Sequence, residues 1–395
     1  MRFLAAFDKF KDALSAGDVC RVAREKLEFS LPNVRVSESP LTDGGEGFCD
    51  ILTGAAGGRF SSHIVAGPLG KPVEARIGYV DLGLLSTEVR ELASLPSVGE
   101  VAVLEMASAA GLEQVEMSMR DLWSASTFGV GELILHAAKE GAAAILLGIG
   151  GSATNDLGIG ALRALGLRFF DSEDAEIENA CPSEWPRVAR ISGALPKLPP
   201  LRIACDVDNP LLGSSGATAS YGPQKGLLAE DVLRMDSEMR RMAFMLSDKF
   251  EVHKDMLVVP GTGAAGGIGF GLGVACGGCF VQGFSLVAAW LKLEEEINEA
   301  EVVLTGEGRF DSTSLRGKGP GKVLELAHRA GRPVFVLAGS VSEEARREVR
   351  KAFPRVFFHP IGRSELSLEE NLSRFEEFFE QTLQNLVEEK EWTKQ

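Results

Sequence analysis

Acids and glycines recur in this chain in short loops, each behind an apolar run that reads as a buried strand. Asp8-Lys-Phe-Lys11 follows Phe3-Leu-Ala-Ala-Phe7, and Asp43-Gly-Gly-Glu46-Gly47 follows Val34-Arg-Val-Ser-Glu38. Ala142-Ala-Ala-Ile-Leu-Leu-Gly148 runs into Ile149-Gly150-Gly151-Ser152-Ala-Thr-Asn155-Asp156. Arg202-Ile-Ala-Cys205 ends in Asp206-Val-Asp208, and Val302-Val-Leu304 ends in Thr305-Gly-Glu307-Gly-Arg309-Phe-Asp311. In open α/β sheets, ligands bind outside the carboxyl ends of the strands, so these loops are expected to build one cleft.

The residue types narrow the chemistry. Carboxylates are joined by the cations Lys9, Lys11, Lys225, Arg309, Arg316 and Lys318, while histidine is missing from these loops. No G-x-S-x-G elbow accompanies a histidine, which speaks against a Ser-His-Asp hydrolase, and zinc chemistry lacks ligands here. No G-x-x-x-x-G-K-[ST] occurs, and no G-x-G-x-x-G opens the first strand-to-helix turn, so neither a standard P-loop enzyme nor a simple dinucleotide enzyme is indicated. Phosphoryl transfer suits the set: amides and cations for phosphate oxygens, carboxylates for Mg²⁺, and one carboxylate to accept a hydroxyl proton. A carboxylate glycosidase or a sugar-phosphate binding module explains the acids or the glycines, but not both together with the lysines. The loop 148–156 reads equally as an anion cradle or as an ordinary strand-to-helix turn.

The elements that must position these loops alternate as strand and helix, which predicts α/β architecture with parallel sheets. At 395 residues and 45% hydrophobic content the chain exceeds one typical core, so two domains are expected. Gly67-Pro-Leu-Gly-Lys-Pro marks a boundary. A net charge of -15 disfavours nucleic acid and anionic membranes as partners. Six scattered cysteines point to reduced thiols in cytoplasm; Cys276-Gly-Gly-Cys279 reads as small-residue packing. The uncharged stretch 261–291 is broken by glycines and reads as buried helix rather than a membrane span. Residues 365–391 predict one amphipathic helix with Leu372, Phe375, Phe379, Leu383 and Leu386 on its packed face.

In company these motifs carry a resemblance. Asp8-Lys-Phe-Lys11 with Leu14-Ser-Ala, Thr42-Asp-Gly-Gly-Glu-Gly47, Gly148-Ile-Gly-Gly-Ser-Ala-Thr-Asn-Asp156, Asp206-Val-Asp-Asn-Pro-Leu211, Tyr221-Gly-Pro-Gln-Lys-Gly226, Gly263-Ala-Ala-Gly-Gly267 and Thr305-Gly-Glu-Gly-Arg309 resemble, in order, the type I glycerate kinase family. The resemblance implies phosphorylation of D-glycerate by ATP with Mg²⁺, most often at the 2-hydroxyl. A 3-kinase and a non-catalytic nucleotide or carboxylate binding module stay open as alternatives, as does a homo-oligomer. It also implies a discontinuous flavodoxin-like α/β domain, here 1–66 with 284–395, and a second α/β domain over 67–283 covering the cleft. Two positions depart from the family pattern: Lys9 stands where a small residue is usual, and Leu157 where glycine is common.

Within that frame Arg309 is the first choice for the substrate carboxylate, because its planar fork suits bidentate recognition. Lys11 neutralises that carboxylate or the transferred phosphoryl, and Asp8 and Glu46 complete the substrate set. Asp206 is expected as the base, with Asp43 second. Gly150, Gly151, Ser152, Asn155 and Asp156 are assigned to nucleotide phosphates, and Glu307 and Asp208 to magnesium.

Overall fold

The computed structural model describes residues 1–315, 319–389 and 392. The chain forms two compact units, Met1–Asp43 with Val287–Gln395, and Gly44–Leu286. Arg316, Lys318 and the expected end of the last helix at 390–391 lie outside the described residues.

The first unit holds a five-stranded sheet in which every pair is parallel. In chain order its strands are Arg2–Phe7, Arg35–Glu38, Val302–Gly306, Val334–Ala338 and Val356–Pro360, and across the sheet they run second, first, third, fourth, fifth. That is the doubly wound, flavodoxin-like order. The first, third and fourth strands are apolar runs with both faces covered, as parallel sheets require. The strand order reverses between Arg2–Phe7 and Val302–Gly306, which pair with Phe7 opposite Gly306. The loops beginning at Asp8 and Glu307 therefore leave the sheet side by side.

Ser15 caps the first helix: its hydroxyl accepts from Asp18 N at 3.1 Å and starts Ala16–Ser30. The single helix expected over 365–391 is instead two, Leu368–Ser373 and Phe375–Glu389. The shorter one has its own capping box at Ser367 and Glu370, and Asn371 turns its side chain back to bond Arg363 N and O. The apolar stripe packs as expected, with Phe379 against Phe7 at 5.6 Å and Phe375 against Phe10 at 4.5 Å between ring centroids.

The second unit is built on a six-stranded sheet. Its edge-to-edge order is Cys279–Val281, Leu201–Ala204, Ala144–Gly148, Glu100–Glu105, Pro72–Asp81 and Arg59–Ala66. Four strands run parallel, while the hairpin of Arg59–Ala66 and Pro72–Asp81 is antiparallel. This corrects the expected boundary after residue 66. Arg59–Ala66 pairs along its whole length with Pro72–Asp81, so 44–66 belongs to the second unit and the chain crosses at 43/44. The return falls at 286/287 rather than at 284. The glycine-rich stretch contains the buried helix Ile268–Cys276, where Gly269 lies so near Phe280 that a Cβ would stand 2.5 Å from its ring. Among the described residues, no helix is long and apolar enough to cross a membrane.

Candidate functional site

In the first unit the sheet's switch point gathers acids. Asp8 N donates to Gly306 O at 3.0 Å, fixing the start of its loop, and Asp8 Oδ1 accepts from Lys9 N at 2.7 Å. Burial raises the Asp8 carboxyl to about 7, and the neighbouring charges of Asp43 and Glu307 add to the rise. These hard oxygen donors, crowded enough for one to resist ionisation, fit a divalent cation such as Mg²⁺. Glu307 thus stands with Asp8 in the first unit; Asp208 is an exposed residue of the second unit.

Arg309 is exposed and its Nε lies 3.4 Å from Asp311 Oδ2, so this fork has an ion-pair partner of its own loop. Lys11 is exposed and lines a cavity of about 430 Å³ in the first unit, together with Phe10, Gly308, Gly339, Arg363 and Phe378. Arg363 and this cavity went unmarked in the sequence, because its wall comes from segments hundreds of positions apart.

In the second unit two glycine loops touch. Gly150 N donates to Gly44 O at 2.9 Å. A Cβ at Gly150 would lie 2.6 Å from Gly45 Cα, and one at Gly151, whose φ is +70°, would lie 2.2 Å from Glu46 Oε1. Only glycine admits that approach, and it sets the Glu46 carboxylate against the loop. Asp156 is fully buried. Its Oδ2 accepts from Thr127 N, Thr127 Oγ1 and Gly160 N at 2.8, 2.8 and 3.1 Å, and its Oδ1 from Gly158 N at 3.1 Å. Asp156, assigned above to nucleotide phosphates, ties the loop to the starts of the helices Phe128–Lys139 and Ile159–Ala164.

Leu157 adopts φ +58°, the left-handed region that favours glycine. Its fully buried side chain joins the core, which offsets the roughly 1 kcal/mol such a backbone costs. Asn155 Nδ2 donates to Thr218 Oγ1 at 3.0 Å, but Asn155 Oδ1 and Thr154 Oγ1 are buried without a protein partner. Polar atoms left so at the end of a strand suit a loop that completes its bonding with a ligand or water. Lys225, 3% exposed, donates to Ser152 Oγ at 2.8 Å and Thr154 O at 2.7 Å, and burial lowers its pKa to about 7. The sequence showed this lysine at a turn without revealing that it props the loop 152–154 from beneath.

Asp206 and Asp208 follow the neighbouring strand Leu201–Ala204. Asp206 Oδ2 accepts from Phe284 N at 2.6 Å, at the start of the helix Gly283–Trp290, which orients the carboxylate. Glu105 went unmarked although it too ends a strand. It accepts from Cys49 N at 3.2 Å, holding the start of the helix Phe48–Ala55, and burial raises it to about 7.

The sequence profile described as the Glycerate kinase family matches residues 3–390. Glycerate 2-kinase of Escherichia coli K12 is 37% identical over 347 residues, covering 87% of this chain and 86% of that protein. A glycerate kinase of Bacillus cereus is 36% identical over 390 residues, covering 98% and 97%. The crystal structure of a Salmonella typhimurium LT2 protein assigned as glycerate kinase 2 superposes with a TM-score of 0.74 at 35% identity, covering 100% of this chain and 99% of that one. With matches of this identity running along almost all of its length, the chain belongs to the glycerate kinase family.

Proposed function

We propose that this kinase, as a type I member of its family, transfers the terminal phosphoryl group of ATP to the 2-hydroxyl of D-glycerate, giving 2-phosphoglycerate. Beside the family match, the observation that supports this most is the crowding of Asp8, Asp43 and Glu307 at the sheet's switch point. Such a site suits a magnesium-bound phosphate better than it suits a bare anion. Mg²⁺, when bound, neutralises charge on the phosphate oxygens. Glu307 would hold it, with Asp8 and Asp43 as neighbours.

Arg309 leaves Asp311 to grip the glycerate carboxylate, Lys11 faces the same anion, and Glu46 binds a substrate hydroxyl. The amides of Gly150 and Gly151, with Ser152 and Asn155, receive phosphate oxygens; Asp156 and Lys225 position that loop without touching the ligand. Asp206, held by Phe284 N, accepts the hydroxyl proton. The six cysteines are all free thiols, which supports action in a reducing compartment such as the cytoplasm.

A coupled assay of ADP release with D-glycerate and Mg-ATP tests the activity, and phosphorus NMR of the product tests the position. ADP with a 2-phosphoglycerate resonance is expected. Turnover of another hydroxy acid or a sugar but not of D-glycerate sinks the substrate assignment, a 3-phosphoglycerate resonance sinks the regiochemistry, and no turnover of any acceptor leaves a binding module. Arg309→Lys should raise KM for glycerate far more than for ATP; an equal rise removes Arg309 from the carboxylate.

A further inference from the structure

Elsewhere in the second unit, three side chains with ligand atoms meet where the edge strand Arg59–Ala66 lies along the helix Phe128–Lys139. Strand alternation turns Ser61, His63 and Val65 inward and leaves Phe60, Ser62 and Ile64 facing out. On the helix side Glu132, His136 and Glu140 are spaced by four and form one stripe. The stripe follows the strand: Glu132 Oε2 accepts from Ala66 N at 2.7 Å, His136 stacks on His63 with ring centroids 4.1 Å apart, and Glu140 Oε1 lies 2.9 Å from His63 Nε2. One ligand atom from each of His63, His136 and Glu140 falls within 4.8 Å of the other two.

Pairing alone accounts poorly for this group. A His63–Glu140 pair needs no second imidazole, and two stacked imidazoles repel if both are protonated. Neutral imidazole is the form that binds metal. Ser61 Oγ stands 2.9 Å from His63 Nε2, and the buried Tyr79 phenol lies within the influence of Glu140. Arg59, which pairs with Glu100, and Lys139 also stand at this seam. Two imidazoles and a carboxylate form the donor set of a three-ligand zinc site with an open position; Mg²⁺ and Ca²⁺ prefer all-oxygen surroundings. Movements of about 1 Å would bring the ligand atoms to about 2.0–2.2 Å from one ion.

We propose that His63, His136 and Glu140 bind one zinc-type divalent cation and thereby clamp the edge strand Arg59–Ala66 to the helix Phe128–Lys139. The site rests on none of the roles given to the loops above.

The test is equilibrium dialysis of the full chain against Co²⁺, followed by its absorption spectrum and by displacement with Zn²⁺. With Mg²⁺ in large excess to fill the acidic site of the first unit, one Co²⁺ per chain is expected, with a visible ligand-field band and no sulfur-to-cobalt charge-transfer band, and Zn²⁺ should raise Tm by mass action. His136→Ala and Glu140→Gln should each weaken binding roughly tenfold or more. Glu140→Gln keeps the shape of the side chain, so it carries the test should His136→Ala fail to fold. Unchanged affinity in Glu140→Gln, a thiolate band, or no uptake at about 1 mM Co²⁺ overturns the proposal.

Discussion

The loop 150–156 of the second unit and the acidic group of the first are both made of acids behind buried strands, yet they treat charge in opposite ways. Asp156 receives four donors from its own unit, and buried Lys225 reaches two oxygens of the same loop. Asp8 accepts from the Lys9 backbone and has the charges of Asp43 and Glu307 beside it. Buried donors around one carboxylate fix a shape, whereas like charges at one place store a demand for a cation. A count of acids does not separate these uses; the donors facing each carboxylate do.

Asp206 is the acid that this contrast has to place. If it belongs to the chemistry, Asp206→Asn should lower kcat by about 10²- to 10⁴-fold with the urea midpoint unchanged. A near-normal kcat with reduced stability would move it to the class of Asp156, as a residue that only starts the helix Gly283–Trp290. Next in size, Asp156→Ala should cost about 3 kcal/mol or more of stability in urea unfolding, because it strands several buried donors. A loss below about 1 kcal/mol would mean that the loop keeps its shape by other means.

A smaller effect reads the same contrast through pH. The carboxyl of Glu105 is raised from 4.5 to about 7 by burial, so between those values the folded chain keeps a proton that the unfolded chain has released. Its contribution to stability is complete below pH 4.5 and is lost as pH rises through about 7. Glu105→Gln should therefore flatten the decline of Tm across that window. An unaltered slope in the variant would assign the decline to other groups, Asp8 first among them.

Much of the fold is legible in the sequence because it is local. Apolar runs ending in acid and glycine mark the sheet strands around the loops, Ser15 with Asp18 marks a helix start, and the spacing of Phe375, Phe379, Leu383 and Leu386 marks a packed face. The strand Arg59–Ala66 carries a period-2 signal in Ser61, His63 and Val65, but its polar inner residues disguise it. What stays hidden depends on distant partners. The role of Asp156 is set by Thr127, and that of Lys225 by Ser152 and Thr154. The left-handed turn at Leu157 shows only through the family pattern, in which glycine is common there, because leucine by itself gives no sign of it.

The central claim, that the first unit's acids hold charge for a cation while the second unit's loop holds shape, is tested most directly in Asp8→Asn by titrating turnover with Mg²⁺ at fixed ATP and measuring urea stability at pH 8. Ionised Asp8 is held at a cost above about 7. The substitution should therefore leave stability equal or higher while raising the half-saturating Mg²⁺ concentration roughly tenfold or more. An unchanged Mg²⁺ requirement together with a loss of stability would contradict the claim and make Asp8 a structural residue.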